Sequence, residues 1–171
     1  MTLDPQAKIK TLAELSEVVR LARTAGKRVI LTNGCFDLIH VGHIRYLQEA
    51  KALGGILIVA INSDDSVATL KGAGRPLQSE SERAEILASL ECVDCVAVFD
   101  TPTVDPLLLQ LRPDVHAKGT DYTTESVPER NTVLSYGGRV AIVGDPKDHS
   151  TRDLIKSILT ASVPCARRKK S

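Results

Sequence analysis

The sequence predicts an α/β fold, a single domain built on a doubly wound parallel sheet of about five strands with helices on both faces. Three observations predict it. Apolar runs of strand length, such as Ile56-Leu57-Ile58-Val59-Ala60-Ile61, are continuous rather than alternating, as expected for strands buried on both faces. Between these runs lie segments with apolar residues at helical spacing, so strand and helix alternate and right-handed crossovers make the strands parallel. Aromatic residues make up only 3% of the chain and Trp is absent, which leaves Leu, Ile, Val and Ala to fill the core.

Taken in order, residues 3–10 read as an arm. Thr11 is placed to cap a helix, with Glu14 completing a capping box and Leu12, Leu15, Val18, Val19 and Ala22 forming its apolar stripe. Gly26 stops that helix. Val29-Ile30-Leu31-Thr32 is the first strand, and a turn leads into a helix carrying Ile44, Leu47, Ala50 and Leu53. Residues 56–61 are the second strand, ending in Asn62-Ser63-Asp64-Asp65. A short helix over 66–70 precedes the basic, Gly-rich loop Lys71-Gly72-Ala73-Gly74-Arg75-Pro76. Helix 80–90, strand 93–99, helix 103–111 closed by Pro113, and the short strand 114–117 follow. Residues 123–130 read as a polar loop and 132–136 as one helical turn. The last strand, 139–143, leads to a final helix with Leu154, Ile155, Ile158 and Leu159 on its expected buried side. The domain reading is an N-terminal arm and helix over 1–26, a Rossmann-like domain over 27–160 and a basic tail over 161–171.

At 171 residues the chain suits one domain able to bury roughly two-thirds of its unfolded surface. A net charge of +1 gives no global field for nucleic acid, and the basic run Arg167-Arg168-Lys169-Lys170 lacks interleaved aromatics, so it reads as a solvated tail. Cys92 and Cys95 have the spacing of a metal or redox pair, but no second ligand pair accompanies them and they precede a strand. They read as structural thiols. With no apolar leader and no run of membrane-spanning length, the chain is expected to be soluble and cytoplasmic.

The functional signal is Asn33-Gly34-Cys35-Phe36-Asp37-Leu38-Ile39-His40-Val41-Gly42-His43, placed between a strand and a helix start. In an open α/β sheet, ligands bind outside the carboxyl ends of the strands, at helix N-termini. The same edge collects His40, His43, Asn62, Ser63, Asp64, Lys71, Arg75, Lys118, Asp121, Ser150, Thr151 and Arg152. Imidazoles, cations, hydroxyls and helix N–H groups together suit the binding of polyphosphate and the neutralising of moving charge. No Walker-type phosphate loop, dinucleotide fingerprint or Gly-x-Ser-x-Gly elbow is present.

The stretch Gly34 to His43 resembles the His-x-Gly-His signature of the cytidylyltransferase-like nucleotidyltransferases. Further stretches match the branch that adenylylates heptose 1-phosphate: 57–64, 70–76, 82–90, Arg112-Pro113-Asp114-Val115, Lys118-Gly119-Thr120-Asp121-Tyr122 and Ser150-Thr151. The resemblance spans about residues 27–158, and the stand-alone form of that enzyme is the expectation. It implies direct attack of a sugar 1-phosphate oxygen on the α-phosphorus of ATP, with pyrophosphate leaving and no covalent intermediate. It implies His40, His43 and Lys71 as catalytic residues. It implies Asn33, Gly34, Cys35, Phe36, Gly42, Lys118, Gly119, Asp121, Tyr122, Ser150 and Thr151 along the nucleotide. Asn62, Ser63, Asp64, Arg75 and Arg83 would face the acceptor. Mg²⁺ would accompany ATP, held by phosphate oxygens and water rather than by the protein, and a homo-oligomer is expected. The product would be ADP-heptose for lipopolysaccharide or another surface glycan. Three positions depart from the pattern: Thr120 replaces a second glycine, His116 an apolar strand residue, and His149 a small or apolar one. Two alternatives stay open: cytidylyl transfer to glycerol 3-phosphate or another small phosphate, and a nucleotide-binding module without turnover.

Overall fold

A computed structural model describes residues 4–146 and 150–161. His149, Cys165 and the basic tail lie outside the described residues. Five strands form one sheet: β1 (Val29–Gly34), β2 (Ile56–Asn62), β3 (Cys95–Phe99), β4 (Val115–Gly119) and β5 (Arg139–Val143). Their order is β3-β2-β1-β4-β5 and every pairing is parallel. The order reverses between β1 and β4, which is the topological switch point of a doubly wound sheet.

The helices are α1 (Leu12–Thr24), α2 (Val41–Ala52), α3 (Asp64–Lys71), α4 (Glu80–Ala88), α5 (Asp105–Leu111), α6 (Arg130–Ser135) and α7 (Thr151–Ala161). Because side chains alternate across a strand, each strand feeds both faces. Ile30, Leu57, Val59, Ile61, Val96, Val115 and Ala117 pack with Leu47 and Ala50 of α2 and Ala84, Leu87 and Ala88 of α4. Val29, Leu31, Ile58, Ala60, Cys95 and Ala97 pack with α1, α5 and α6 through Leu15, Val19, Leu107, Leu108 and Val133. The expected three-layer architecture is therefore present.

Local chemistry sets the boundaries. Thr11 and Glu14 form the expected capping box of α1, and Ser79 and Glu82 form an equivalent one on α4. The N-terminal arm holds a 3₁₀ turn, Pro5–Lys8, and the Lys10 N–H donates to Val96 O at 2.8 Å, tying the arm to β3.

Four expectations change. β1 runs two residues past Thr32, because Asn33 and Gly34 still pair with Ala60 and Ile61 of β2. The helix of the histidine segment begins at Val41, which puts Gly42 and His43 inside its first turn. Lys71 is the last residue of α3 rather than part of the loop, since Gly72, with φ at 91°, is where the helix stops. The last helix does not bury its apolar side. No residue of α7 is buried, and Leu154, Ile158 and Leu159 are exposed. The first turn of α7 is tied to the histidine segment, where the Thr151 hydroxyl donates to Leu38 O at 3.2 Å.

Among the described glycines, Gly55, just before β2, has the least room for a side chain. Gly55 has φ at 110°, and a Cβ there would sit 2.1 Å from the backbone oxygen of Arg28. That oxygen accepts the Ile56 N–H at 2.9 Å and starts the β1–β2 ladder, so it cannot move aside cheaply. Gly55→Ala is expected to lower the unfolding free energy by about 3 kcal/mol. Urea unfolding followed by circular dichroism measures it.

Candidate active site

The carboxyl ends of β1, β2 and β4 share one edge, and the histidine segment lies across it. The chain leaves β1 through Phe36, whose φ of 48° is in the left-handed region that a bulky side chain seldom adopts. The turn is held because the Phe36 ring is buried against the core. That ring also explains Gly34, where an added Cβ would lie 3.1 Å from it.

The Phe36 ring continues into the imidazole pair. Its centroid is 5.2 Å from that of His43, and the His43 and His40 rings stack at 3.9 Å. His40 is the N-cap of α2 and His43 its third residue. The His40 N–H donates to His43 Nδ1 at 3.4 Å. With Nδ1 accepting, a neutral His43 carries its proton on Nε2 and can donate from there. Burial, reinforced by the neighbouring His40, lowers the His43 pKa to about 4. A neutral donor at a helix N-terminus is thereby built into the turn, where the helix dipole already favours an anion.

α7 brings a second helix start to the same place. The Ser150 hydroxyl accepts from the Asp153 N–H at 3.1 Å and donates to the Asp153 carboxylate at 2.5 Å, so Ser150 caps α7. Ile39, His40, Val41, Ser150, Asp153, Leu154 and Ser157 line a crevice of about 470 Å³ between the two helix starts.

On the β4 side, Lys118 Nζ donates to Asn33 Oδ1 at 3.2 Å and lies 5.1 Å from the centre of the Tyr122 ring. Gly119 closes β4 and Asp121 and Tyr122 follow in an exposed turn. Asn33, Lys118 and Tyr122 are thus gathered at the β1/β4 switch point.

The residues expected to face the acceptor are used differently. Arg83 is fully buried. Its guanidinium donates to Gln78 O at 3.1 Å, Cys35 O at 2.6 Å, Asn62 O at 2.8 Å and Asp64 Oδ1 at 2.7 Å. It holds the ends of β1 and β2 together and does not line the open edge. Asp64 is committed to Arg83, and Ser63 caps α3 while bonding Asp100 at 2.5 Å. The Asn62 side chain bonds Ser66 at 3.0 Å. Arg75 pairs with the buried Asp37 at 2.5 Å, and Asp37 also accepts the N–H groups of Leu77 and Gln78, which fastens the segment after the Gly-rich loop under the histidine turn. Lys71 is exposed at the end of α3. Burial raises the Cys35 thiol pKa, although Lys71 and Arg83 pull the other way, so Cys35 stays protonated.

Asp37 and Asp64 are both taken by arginines, and Asp153, which lines the crevice with His40, bonds Ser150. Among the described residues, no group of three or more His, Cys, Asp or Glu is placed to hold a metal ion. None of the helices there is long and apolar enough to cross a membrane. One residue of the site escaped the sequence reading. Glu129, at the N-cap of α6, lies 3.3 Å from Lys118 Nζ. The signal for it was the alternation in β4, which puts His116 and Lys118 on one buried face and so calls for an acid within reach.

Comparison with known proteins agrees with this geometry. The family model described as cytidylyltransferase-like matches residues 31–162. The bifunctional protein HldE of Geotalea uraniireducens (strain Rf4) is 51% identical over 160 residues, 94% of this chain and 33% of that protein. HldE of Geobacter metallireducens is 49% identical over 158 residues, 92% of this chain and 32% of that protein. The chain spans about a third of the length of the curated relatives it matches. Among solved structures, the lipopolysaccharide core biosynthesis protein from Thermoplasma volcanium GSS1 is similar with a TM-score of 0.59 and 26% identity, covering 69% of this chain and 95% of that one.

Three outcomes are expected from the site alone. Nitrogen-15 NMR of the histidine side chains should find His43 neutral and Nε2-protonated at pH 6, where an unburied imidazole is mostly charged. Because the unfolded chain takes up a proton there near pH 6.5 and the folded one near 4, stability should fall as pH drops across that interval. Arg83→Met would strand the carbonyl oxygens of Cys35 and Asn62, and should lower the unfolding free energy by about 3 kcal/mol, read by denaturant titration.

Proposed function

Because the chain belongs to the cytidylyltransferase-like family over residues 31–162, we propose that it is a nucleotidyltransferase that moves AMP from ATP to heptose 1-phosphate. ADP-heptose and pyrophosphate would be the products, and the nucleotide sugar would serve lipopolysaccharide or another surface glycan. The observation that carries the reaction type is the stacked His40/His43 pair, with a neutral His43, at the start of α2 and facing the start of α7. The acceptor rests on the relatives named HldE and on the lipopolysaccharide core biosynthesis protein from Thermoplasma volcanium.

In this reading the triphosphate lies across the two helix starts, where N–H groups and the dipoles of α2 and α7 favour it. His40 and His43 donate to phosphate oxygens as negative charge moves onto the leaving pyrophosphate. Ser150 and Thr151 hold the outer phosphates. Lys71, on an exposed helix end beside a Gly-rich loop, swings to the α-phosphate or to the incoming sugar phosphate. Asn33, Gly34, Cys35, Phe36 and Gly42 offer contacts along the nucleotide, while Lys118, Gly119, Asp121 and Tyr122 line the nucleoside at the switch point. Asn62, Ser63 and Asp64 shape the acceptor side, and Arg75 and Arg83 act on it from beneath by fixing the loops. The oxygen of the sugar phosphate attacks in line, so catalysis is alignment plus charge stabilisation. Mg²⁺ would sit on phosphate oxygens and water and neutralise part of the triphosphate charge.

Pyrophosphate release measured with ATP, Mg²⁺ and heptose 1-phosphate tests the proposal, with CTP and glycerol 3-phosphate as parallel arms. Turnover confined to the ATP–heptose arm is expected. Turnover only with CTP, or none with any pair, refutes it. His43→Ala should fold and lose about a hundredfold in kcat, as when an oxyanion donor is removed. Full activity would take His43 out of the mechanism.

A further inference from the structure

The buried face of β4 carries two basic side chains. His116 is fully buried and Lys118 is 7% exposed. Alternation along the strand sends both to the same side, opposite Val115 and Ala117. Among the described residues, one acid answers them. Glu129, itself 8% exposed, places its two carboxylate oxygens 3.3 and 3.4 Å from Lys118 Nζ, with His116 Nε2 at 3.7 Å.

Among the described residues, Lys118 has one other hydrogen-bond partner, Asn33 Oδ1 at 3.2 Å, across the junction of β1 and β4. Its ammonium also lies beside the exposed Tyr122 ring. A lysine on a flexible four-carbon stem cannot keep a buried charge against one neutral amide. It would lose its proton or swing out to water. The carboxylate removes that choice. Glu129 also sits at the far end of the exposed run 120–126, so the contact anchors the turn that carries Tyr122.

From this arrangement we infer that Glu129 is a positioning residue for the nucleotide. It holds the Lys118 ammonium against Asn33 at the strand-switch point and so presets the pocket that Asn33, Lys118 and Tyr122 form. The inference rests on the nucleotidyltransferase reading and assigns a new residue to it. It also divides the charge at the edge. Lys118 and Glu129 together are neutral, which suits the uncharged nucleoside, whereas the polyphosphate meets helix starts and imidazoles. The acid stays ionised in its buried place. Burial pushes its pKa up, but the His116 contact and the Lys118 charge outweigh this and bring it down to about 2.

The experiment is a double-mutant cycle on the full chain, with ATP binding measured by calorimetry and steady-state kinetics run alongside. Glu129→Gln is expected to weaken ATP binding about tenfold, while kcat at saturating ATP stays within about twofold. In a Lys118→Met background, adding Glu129→Gln should change ATP affinity by less than about twofold, because the acid acts only through the lysine. An unchanged affinity in the single variant, an equal loss in both backgrounds, or a loss confined to kcat overturns the inference. Should Glu129→Gln fail to fold, Glu129→Asp withdraws the carboxylate by one methylene. Severalfold weaker ATP binding is then expected, and unchanged binding overturns the inference. A wild-type chain that binds no ATP refutes the parent reading and this one with it. Wild-type binding with an unaltered Glu129 variant refutes this one alone.

Discussion

The open edge depends on one buried cation. Arg83 cannot lose its charge, so a fully buried guanidinium is tolerable only where acceptors surround it. Three carbonyls and a carboxylate do so, from Gln78, Cys35, Asn62 and Asp64. The carbonyls of Cys35 and Asn62 have a matching need. They stand where β1 and β2 run out of ladder, and a buried carbonyl without a donor is costly. One side chain of α4 therefore satisfies both strand ends and fixes their separation. Asp37 and Arg75 add a second tie just beyond, between the histidine segment and the chain entering α4. With both ends held, the turn can keep Phe36 in a left-handed conformation, and the Phe36 ring sets the place of His43.

On the other side of β1 the same problem is solved with the charges exchanged. There the acid comes from the loop and the cation from the strand, through Glu129 and Lys118. The histidine turn hangs from the end of the strand between these two devices. Both lie at strand ends, where the chain leaves the regular hydrogen-bond ladder and side chains must supply what the backbone no longer does. The formal charges around the edge are thus largely spent on architecture, and the anion-attracting field comes mainly from helix N-termini.

This division explains what could be read from the sequence. Layers, strand directions and the location of the edge follow from continuous apolar runs and helical spacing, both local signals. The histidine turn was legible because a strand, a glycine and two imidazoles are adjacent in the chain. Arg83 was not, because its burial depends on Cys35, Asn62 and Asp64 converging from distant segments; along α4 it looks like any surface arginine. α6 was only half visible, since Arg130–Ser135 is six residues long and buries only Val133. The amphipathic pattern of α7 predicted a buried side that the fold does not provide, because a helical stripe records which residues could be covered and not whether anything covers them.

The stacked imidazoles complete the charge balance of the edge. Two rings with centroids 3.9 Å apart cannot both be protonated without strong repulsion, and the burial of His43 already favours its neutral form. A His43 kept neutral in this way needs no counter-ion of its own. Asp37 and Asp64 are held by Arg75 and Arg83, while Asp153, across the crevice from His40, bonds Ser150. The arginines beneath the turn thus do more than brace it. By pairing with Asp37 and Asp64, they offset two negative charges that would otherwise oppose the approach of a phosphate.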